Sequence, residues 1–502
     1  MNLDKRSNLS VNPWFCAAFF IMALMLSACG SSDDDSTGDI RFYNLSENSP
    51  AIYLTIDEDL DDEDDDAYEK TYTGVDFLSL SSASSIENGD YFYEIAFQND
   101  DSTSRDDLEI LLEGSLNIVK ESTQLLVLNG DIHSPELLIY NVPTIDDDEI
   151  DDDVDDDLFN IRVLNMYSSD QNVAMYMSKD DETFNEAVFV GEFSYQALSD
   201  NQKIDQETYI FYLADVDTNE VLFESDEITF SYATQYIITV RANISEGGSP
   251  YTIDLISTSS ITEYIDINSQ STFKAYNAIK THELLPEYQG NVTLTLESLA
   301  STATTSTFSY GSFSEELVQE NGDYSVMLTN SDTDNVIIEN HLLTLPEDSD
   351  KTIFFYIQED SVDADGDGDI DENNDGEIDE IEITIQSLVV DNSVDSSIYD
   401  HEMTSINFID SDDFSLVRLY YVKNNESIDT TSNEQSVSYG DSSTITLLNN
   451  TYTVYVVAQD DSSELILTSF ELTLDEDSIP QYIILENDES TATGYRATLA
   501  EQ

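Results

Sequence analysis

The sequence predicts an all-β protein of tandem immunoglobulin-like β-sandwich domains joined by acidic linkers, and three observations support this. Short apolar or β-branched runs recur along the chain, bounded by Asn, Asp, Gly and Ser, as strands are by turns. No long amphipathic helical pattern interrupts them. The runs group into four units of roughly 100–120 residues with about seven strands each, which is the size and rhythm of an immunoglobulin-like sandwich.

The four units share recognisable segments. Each unit opens with a similar short strand, at residues 40–44, 161–165, 273–277 and 406–410. Three units carry an apolar-Ser-Tyr signal, at residues 193–195, 308–310 and 437–439. Units 1 and 3 both contain Glu-Asn-Gly-Asp-Tyr, at residues 87–91 and 320–324. Asn-Gly is a strong tight-turn signal, so a turn should precede the strand that begins with Tyr.

Each unit continues with a polar hairpin and a further apolar strand. The hairpins are predicted at residues 99–102, 215–218, 331–334 and 460–463. The apolar strands that follow them are predicted at residues 125–128, 236–240, 353–357 and 482–485. The Tyr and Phe residues of these strands are interpreted as sandwich core and cross-strand pairs rather than as a ligand platform.

These segments define the predicted domains. The sandwiches are expected at 39–143, 159–257, 271–390 and 402–500, with an acidic linker at 144–158 that like charges keep extended. Residues 29–38 form a Ser/Asp/Gly tether. Cys16 and Cys29 are the only cysteines, so the four predicted sandwiches contain no disulfide.

The N-terminus has the three parts of a bacterial export signal. Lys5 and Arg6 precede an apolar run at residues 14–26, which is too short to span the roughly 30 Å hydrocarbon core. The next residues, Leu-Ser-Ala-Cys at 26–29, resemble the lipobox of bacterial lipoproteins. The resemblance implies a signal peptide at 1–28, cleavage before Cys29, and lipidation (diacylglycerol and palmitate) of that cysteine. An uncleaved N-terminal anchor is the alternative.

The residue after the cysteine bears on the final membrane. Lipoproteins that stay in the inner membrane usually have Asp at that position, whereas this chain has Gly30 there. The resemblance therefore implies a lipid anchor in the outer membrane. The periplasmic and the cell-surface side both stay open.

The first unit also resembles a known domain type. Residues 44–52, with a Ser-Pro pair, and the Gly-Asp-Tyr turn at 89–91 are similar to a large family of uncharacterised secreted bacterial domains. The other units lack the Ser-Pro pair at that place. The resemblance implies secretion and a β-sandwich, and it brings no assigned activity.

One segment, residues 363–382, has the spacing of a calcium-binding loop. Ca²⁺ prefers six to eight hard oxygen ligands around a tight turn. An EF-hand-like frame that begins at Asp371 is complete, with Gly376 at the turn. Its predicted ligands are Asp371, Asn373, Asp375, the Glu377 carbonyl, Asp379 and the closing Glu382.

A second, overlapping frame is partial. Its predicted ligands are Asp363, Asp365, Asp367, the Asp369 carbonyl and the shared Asp371. Asn374 stands where the closing Glu belongs. The overlap resembles the chained aspartate loops of thrombospondin type 3 repeats and dockerins. Because the flanks at 353–357 and 381–388 read as strands, we expect structural Ca²⁺ in a long hairpin of unit 3; a solvated Asp/Gly loop is the alternative.

The charge excludes one class of partner. The chain has 106 Asp and Glu against 16 Lys and Arg, a formal net charge of −90. Such a surface repels nucleic acid and favours solubility, cations and basic partners. Adaptation to salty water is the simplest explanation of the charge. With 40% hydrophobic residues, the chain is too apolar for a disordered acidic segment.

No pattern of catalytic residues stands out. The four histidines, His133, His282, His341 and His401, are scattered singly, and neither a Gly-x-Ser-x-Gly elbow nor a phosphate-binding Gly-rich loop is present. The sequence therefore predicts a non-catalytic cell-envelope lipoprotein with a surface interaction or adhesion role. Its partners would be the membrane, through the lipid, and an unidentified protein or glycan. A structural envelope stalk is the main alternative, followed by a carbohydrate-binding accessory module or hydrolase.

Overall fold

The computed structural model describes residues 36–59, 68–98, 107–145, 158–168, 172–244, 249–299, 301–362, 381–393, 397–411, 414–460 and 463–502. These residues form four successive β-sandwiches, which confirms the all-β, immunoglobulin-like fold class. A 3₁₀ turn lies at Phe184–Glu186. Each sandwich has its own apolar core between two sheets.

Unit 1 is an eight-stranded sandwich. Its sheets have the strand orders β4-β1-β7-β8 and β3-β2-β5-β6. The strands are β1 (Thr37–Glu47), β2 (Ile52–Asp57), β3 (Glu69–Thr71), β4 (Ser84–Glu87), β5 (Gly89–Gln98), β6 (Leu108–Ile118), β7 (Ser122–Asp131) and β8 (Glu136–Pro143).

Unit 2 has the same plan with extra short strands. Its sheets have the orders β12-β9-β17-β18-β19 and β11-β10-β14-β15, with β13 on β9 and β16 on β14. The strands are β9 (Leu158–Asn165), β10 (Val173–Lys179), β11 (Val188–Phe193), β12 (Ala197–Leu198), β13 (Gln202–Asp205), β14 (Thr208–Asp215), β15 (Val221–Glu224), β16 (Ile228–Thr229), β17 (Gln235–Ala242), β18 (Tyr251–Ile256) and β19 (Ile261–Tyr264).

Unit 3 contains a long hairpin, β27–β28, whose strands flank the predicted calcium loop. Its sheets have the orders β24-β20-β27-β28 and β22-β21-β25-β26, with β23 on β21. The strands are β20 (Gln270–Ala278), β21 (Asn291–Glu297), β22 (Thr302–Thr304), β23 (Phe308–Ser309), β24 (Leu317–Glu320), β25 (Gly322–Asn330), β26 (Val336–Leu345), β27 (Asp350–Ser361) and β28 (Ile381–Asp391).

Unit 4 again has eight strands. Its sheets have the orders β32-β29-β35-β36 and β31-β30-β33-β34. The strands are β29 (Asp400–Phe408), β30 (Leu416–Lys423), β31 (Glu434–Ser438), β32 (Asp441–Leu448), β33 (Asn450–Asp460), β34 (Ser463–Leu474), β35 (Gln481–Asn487) and β36 (Tyr495–Glu501).

All four units share one strand pairing that the sequence pattern did not predict. The opening strand of each unit pairs in parallel with the apolar strand that follows the polar hairpin: β1 with β7, β9 with β17, β20 with β27 and β29 with β35. These two strands lie at the centre of one sheet, covered by the second sheet on one face. Their near-continuous apolar runs follow from this position, because central strands are buried on both sides.

A buried asparagine fixes the end of every opening strand. In each unit its amide nitrogen donates to a main-chain carbonyl across the sandwich, and its Oδ1 accepts from the backbone N–H two residues on. The four residues are Asn44, Asn165, Asn277 and Asn407, at most 1% exposed. Comparison of the opening strands by sequence places Asp410 at this position in unit 4. In the structure, Asn407 holds the position instead.

The shared Asn-Gly turns move the chain between sheets. β4 and β24 belong to one sheet of their units, whereas β5 and β25, which follow after a single residue, belong to the other. Gly322 has φ +133°, a value that L side chains rarely adopt. The Asn-Gly pair therefore makes a switch from sheet to sheet rather than a hairpin.

Units 1 and 4 also touch. Ile398 N donates to the carbonyl of Asn48 over 3.0 Å, and the rings of Tyr399 and Phe97 lie 5.0 Å apart in an edge-to-face arrangement. The residues just before unit 4 therefore extend the core of unit 1.

Candidate functional sites at the calcium-loop hairpin and the unit interfaces

Most residues of the predicted sites fall outside the described part of the chain. These are Cys29, Asp363, Asp365, Asp367, Asp369, Asp371, Asn373, Asp375, Glu377 and Asp379. The remaining predicted ligand, Glu382, lies on β28. The flanks at 353–357 and 381–388 are strands, as predicted, and the segment joins the ends of one antiparallel hairpin in unit 3.

Negative charge is concentrated at the end of this hairpin that adjoins the predicted calcium loop. Glu382 lies directly opposite Asp360 in the strand register, and Ser361 lies opposite Ile381. Like charges directly opposite each other across a strand pair are destabilising. A cation bound between the carboxylates would remove that repulsion, and carboxylate oxygens are the ligands that Ca²⁺ prefers. The described end of the predicted loop therefore supplies two facing carboxylates, which are of the donor type that Ca²⁺ prefers.

An ionic cluster lies beside this end of the hairpin and joins unit 3 to unit 4. Lys280 Nζ is 3.1 Å from Glu359 Oε1 and 2.6 Å from Asp410 Oδ2, and His282 Nε2 is 3.4 Å from Glu359 Oε1. Burial lowers the pKa of Lys280, but the hydrogen bonds and charges of Asp410 and Glu359 outweigh it, so the pKa is raised. Lys280 therefore carries its charge and ties the two units together.

The histidines do not converge on a common site. His133 Nδ1 is 2.7 Å from Asp131 Oδ1, His341 Nε2 is 2.7 Å from Ser387 Oγ, and His401 Nε2 is 2.6 Å from Asn449 Oδ1. Within the described ranges, no three His, Cys, Asp or Glu side chains are grouped to hold a metal ion. Each histidine thus has a local hydrogen-bond partner in a different part of the fold.

Units 1 and 2 are joined face to face through the sheets that contain their opening strands. An apolar cluster fills this interface, with members from both units: Tyr43, Leu45, Leu125, Val127, Val142, Leu164, Met166, Ile237 and Ile256. In the middle of it, the hydroxyl of Tyr43 donates to Asp254 Oδ2. Arg241 holds the same carboxylate through Nε at 2.7 Å and through a second nitrogen at 3.3 Å, and also contacts Glu263.

The electrostatics of this group are those of a buried ion pair. Burial raises the pKa of Asp254, and the positive charge of Arg241 opposes that rise. Both residues are at least 95% buried. Removing one partner of such a pair leaves an uncompensated buried charge, which is strongly destabilising.

Units 3 and 4 are joined in the same way. Their interface cluster consists of Tyr276, Ala278, Phe354, Val390, Ile406, Phe408, Tyr482 and Ile484. The hydroxyl of Tyr276 donates to Glu486 Oε1 over 3.1 Å, and Arg496 donates to Glu486 Oε2 from Nε at 3.0 Å and from a second nitrogen at 2.6 Å. Burial raises the pKa of Glu486, against the effect of Arg496. Each interface thus contains a tyrosine–carboxylate–arginine triad.

Sequence reasoning missed both triads because their members come from different units. A signal was nevertheless present. A tyrosine precedes the buried asparagine of the opening strand in units 1 and 3, where a polar tip is needed, and an aliphatic residue precedes it in units 2 and 4. Period-2 alternation shows that these residues face away from their own core, but it does not show which unit covers them.

An apolar groove of about 710 Å³ lies in unit 3 between the loop before β21, the start of β26, and β28. Leu284 and Val336, which line it, are 48% and 43% exposed, and Ile338, Ile383 and Ile385 form its other apolar walls. Exposed apolar surface of this kind is often a contact site for another molecule. The groove shares β28 with the hairpin that carries the predicted calcium loop.

Comparisons with known proteins give little further information. No protein-family model matches the chain, and no curated protein matches it significantly. Solved structures aligned with it include the Bacillus anthracis TIE protein (8% identity, 96% of this chain and 80% of that one, TM-score 0.15) and the major pilin subunit BcpA of Bacillus cereus (9%, 66% and 100%, TM-score 0.14). The chicken CNTN1 FN1–FN3 domains align at 8% identity over 61% and 90% of the two chains, with TM-score 0.12. Likeness this weak carries no argument about function.

Across the described residues, no helix has the length and apolar character needed to cross a bilayer.

Proposed function

We propose that the protein is a non-catalytic lipoprotein of the bacterial outer membrane, anchored through Cys29, and that it acts by contact with a protein or glycan partner. The observation that carries the proposal is the fixed pairing of the sandwiches through buried triads and apolar clusters. A chain built in this way holds its outer faces at constant spacing, which is what a display scaffold for a binding surface requires. The described histidines and buried ionic groups serve packing in this scheme.

Calcium has a structural role in the proposal. The ligand spacing at residues 363–382 and the facing carboxylates of Asp360 and Glu382 support a bound Ca²⁺ that closes the end of the long hairpin. The ion would stiffen the edge of unit 3 that borders the apolar groove. The described strands on both sides argue against an EF-hand sensor, which opens by moving helices.

The proposal is tested in the bacterium itself. A deletion strain is complemented with the wild-type gene or with Cys29→Ser, and the protein is followed by membrane fractionation and by protease treatment of whole cells. We expect wild-type protein in the outer membrane and the Cys29→Ser protein in the soluble fraction. Attachment of the cells to polysaccharide-coated and to protein-coated surfaces should fall in the deletion strain. Unchanged attachment on both surfaces would contradict the interaction role.

A structural role in the envelope is the second candidate, favoured by the same rigid pairing of units. It predicts a different phenotype: normal attachment, but an envelope that leaks periplasmic enzyme or becomes sensitive to detergent in the deletion strain. Attachment on the one hand, and leakage and detergent sensitivity on the other, therefore separate the two roles in one set of strains.

A further inference from the structure

The residue before the buried asparagine alternates along the chain. It is Tyr43 in unit 1, Leu164 in unit 2, Tyr276 in unit 3 and Ile406 in unit 4. All four residues are at most 1% exposed, and they lie in the two interface clusters, one tyrosine and one aliphatic residue in each. The repeat is therefore two units long: the odd units present a tyrosine to the even unit that follows.

The partners of these tyrosines occupy matching places. Arg241 directly follows the residue that pairs with Asn165, and Glu486 directly follows the residue that pairs with Asn407, so the two are equivalent positions on β17 and β35. One interface therefore has arginine where the other has the carboxylate. The complementary member of each triad lies on the next strand, at Asp254 on β18 and Arg496 on β36. Both interfaces therefore contain the same three groups, but the arginine and the carboxylate have exchanged their strands.

Contacts in the reverse direction match as well. Tyr195 and Tyr439, from the apolar-Ser-Tyr segments of units 2 and 4, both reach the preceding odd unit. Asn129 on β7 donates to the hydroxyl of Tyr195 over 2.7 Å, and the hydroxyl of Tyr439 donates to the carbonyl of Ile357 on β27. β7 and β27 are the equivalent central strands of units 1 and 3.

We infer that the protein consists of two equivalent two-sandwich modules, units 1–2 and units 3–4, and that each module, rather than each sandwich, unfolds as one cooperative body. The physical reason lies in the interfaces. Unfolding of one sandwich would expose the apolar cluster on its partner and would leave half of a triad without its counter-charge, which is costly. Between the modules, Ile398 and Tyr399 pack on unit 1, His133 lies 4.0 Å from Glu476, and Asn321 donates to the carbonyls of Ile267 and Ser269. These contacts bury far fewer groups than the two interface clusters, so they should not couple the modules. This inference does not depend on the proposed function.

Hydrogen exchange of the full chain tests the inference. Exchange is measured by mass spectrometry for each unit separately, at a denaturant concentration where exchange requires unfolding. Val454→Ala removes two methyl groups from the core of unit 4, away from the interface. We expect exchange of the central strands β35 and β27, in units 4 and 3, to accelerate by one common factor of about tenfold or more. Exchange in units 1 and 2 should not change. The milder Ile238→Val in the core of unit 2 should accelerate units 1 and 2 together and spare units 3 and 4.

A background in which units 3 and 4 are uncoupled provides the control. In Tyr276→Ala with Glu486→Gln, where the second triad is dismantled, Val454→Ala should accelerate unit 4 far more than unit 3. Acceleration confined to unit 4 in the otherwise wild-type chain would show independent sandwiches and overturn the inference. Equal acceleration in all four units would show a single cooperative body and would overturn it as well.

Discussion

The hydroxyl of Tyr324 donates a 2.7 Å hydrogen bond to the main-chain carbonyl of Glu320, four residues earlier. The same bond occurs in every unit, from Tyr91 to Glu87, from Tyr209 to Asp205 and from Tyr452 to Leu448, at 2.8–3.1 Å. In each case the tyrosine lies near the start of the strand that enters the second sheet. This arrangement is similar to the tyrosine corner of immunoglobulin-like sandwiches, which fixes the chain where it crosses between sheets.

Replacing this tyrosine tests its contribution. We expect Tyr324→Phe to lower the free energy of unfolding of the second module by about 1 kcal/mol, because the ring stays packed while the Glu320 carbonyl loses its donor. Urea denaturation of the full chain measures the effect. Tyr232→Phe, at a side chain that is 74% exposed, is the matched control and should change nothing. An equal loss in both variants would mean that the corner hydrogen bond contributes nothing specific.

The buried asparagines should matter more. Asn407→Ala removes a donor to the Val437 carbonyl and the acceptor of the Ile409 N–H, so two buried main-chain groups lose their partner. We expect a loss of about 2–3 kcal/mol in the free energy of unfolding. Asn172→Ala, at an exposed position, should stay within about 0.5 kcal/mol of wild type. A comparably small effect at position 407 would be incompatible with the role assigned to this residue.

Calcium should stabilise the protein specifically. Thermal unfolding of the full chain in EDTA, in millimolar Ca²⁺ and in Mg²⁺ at equal ionic strength should show one transition that only Ca²⁺ raises. With a dissociation constant of about 10⁻⁴–10⁻³ M, as is usual for extracellular sites, Ca²⁺ at tenfold excess would add about 1.4 kcal/mol. Glu382→Ala should abolish the shift, whereas Glu109→Ala, which removes the same charge from unit 1, should keep it. Identical responses to Ca²⁺ and Mg²⁺ would mean that the stabilisation comes from charge screening and not from a specific calcium site.

One turn should show a defined dependence on pH. Asp215 accepts hydrogen bonds from the N–H groups of Thr218 and Asp217 and from the Thr218 hydroxyl, which lowers the pKa of Asp215 below its ordinary value of 3.8. A lowered pKa in the folded state means that the ionised form stabilises the fold. The contribution is therefore complete above pH 3.8 and is lost as the pH falls below it.

The measurement is the difference in unfolding free energy between wild type and Asp215→Ala across pH. It should be constant near neutrality and shrink as the pH falls below 3.8. Asp217→Ala, in the same turn, removes a carboxylate that accepts none of these hydrogen bonds, and it should match wild type at neutral pH. A constant difference down to pH 2 would exclude a role for the ionised carboxylate.

Much of the fold could be predicted from the local pattern of apolar and turn-forming residues, because strands and turns depend mainly on short segments of the sequence. The apolar runs at 125–128 and 353–357, and the turn residues that follow β14 and β25, lie where the pattern placed them. Asn219 and Asp334, with φ near +58°, show why Asn and Asp mark these turns. The parallel pairing of β1 with β7 could not be predicted, because residues 48–121 separate the two strands and neither strand's own sequence specifies its partner.

The site residues divide in the same way. The calcium ligands are predicted from spacing within one loop, since all of them lie close together in sequence. The triads require Tyr43 to meet Asp254, and Tyr276 to meet Glu486, across more than 200 residues. The abundance of acidic residues also hides the buried carboxylates of the triads. Among 106 acidic side chains, nothing in the sequence distinguishes the few carboxylates that are buried from those that only solvate the surface.

Arg41 and Arg241 are buried at the interface of units 1 and 2, which withdraws positive charge from the outer surface of a chain that has little of it. With 106 acidic and 16 basic residues in the chain, the outer surface is strongly anionic and gathers a layer of counterions. At a surface potential of about −1 kT per elementary charge, Boltzmann weighting enriches a divalent cation about sevenfold over the bulk solution. Rising salt thins this layer to within about 10 Å or less. The surface of the protein thus enriches divalent cations, Ca²⁺ among them, relative to the surrounding water.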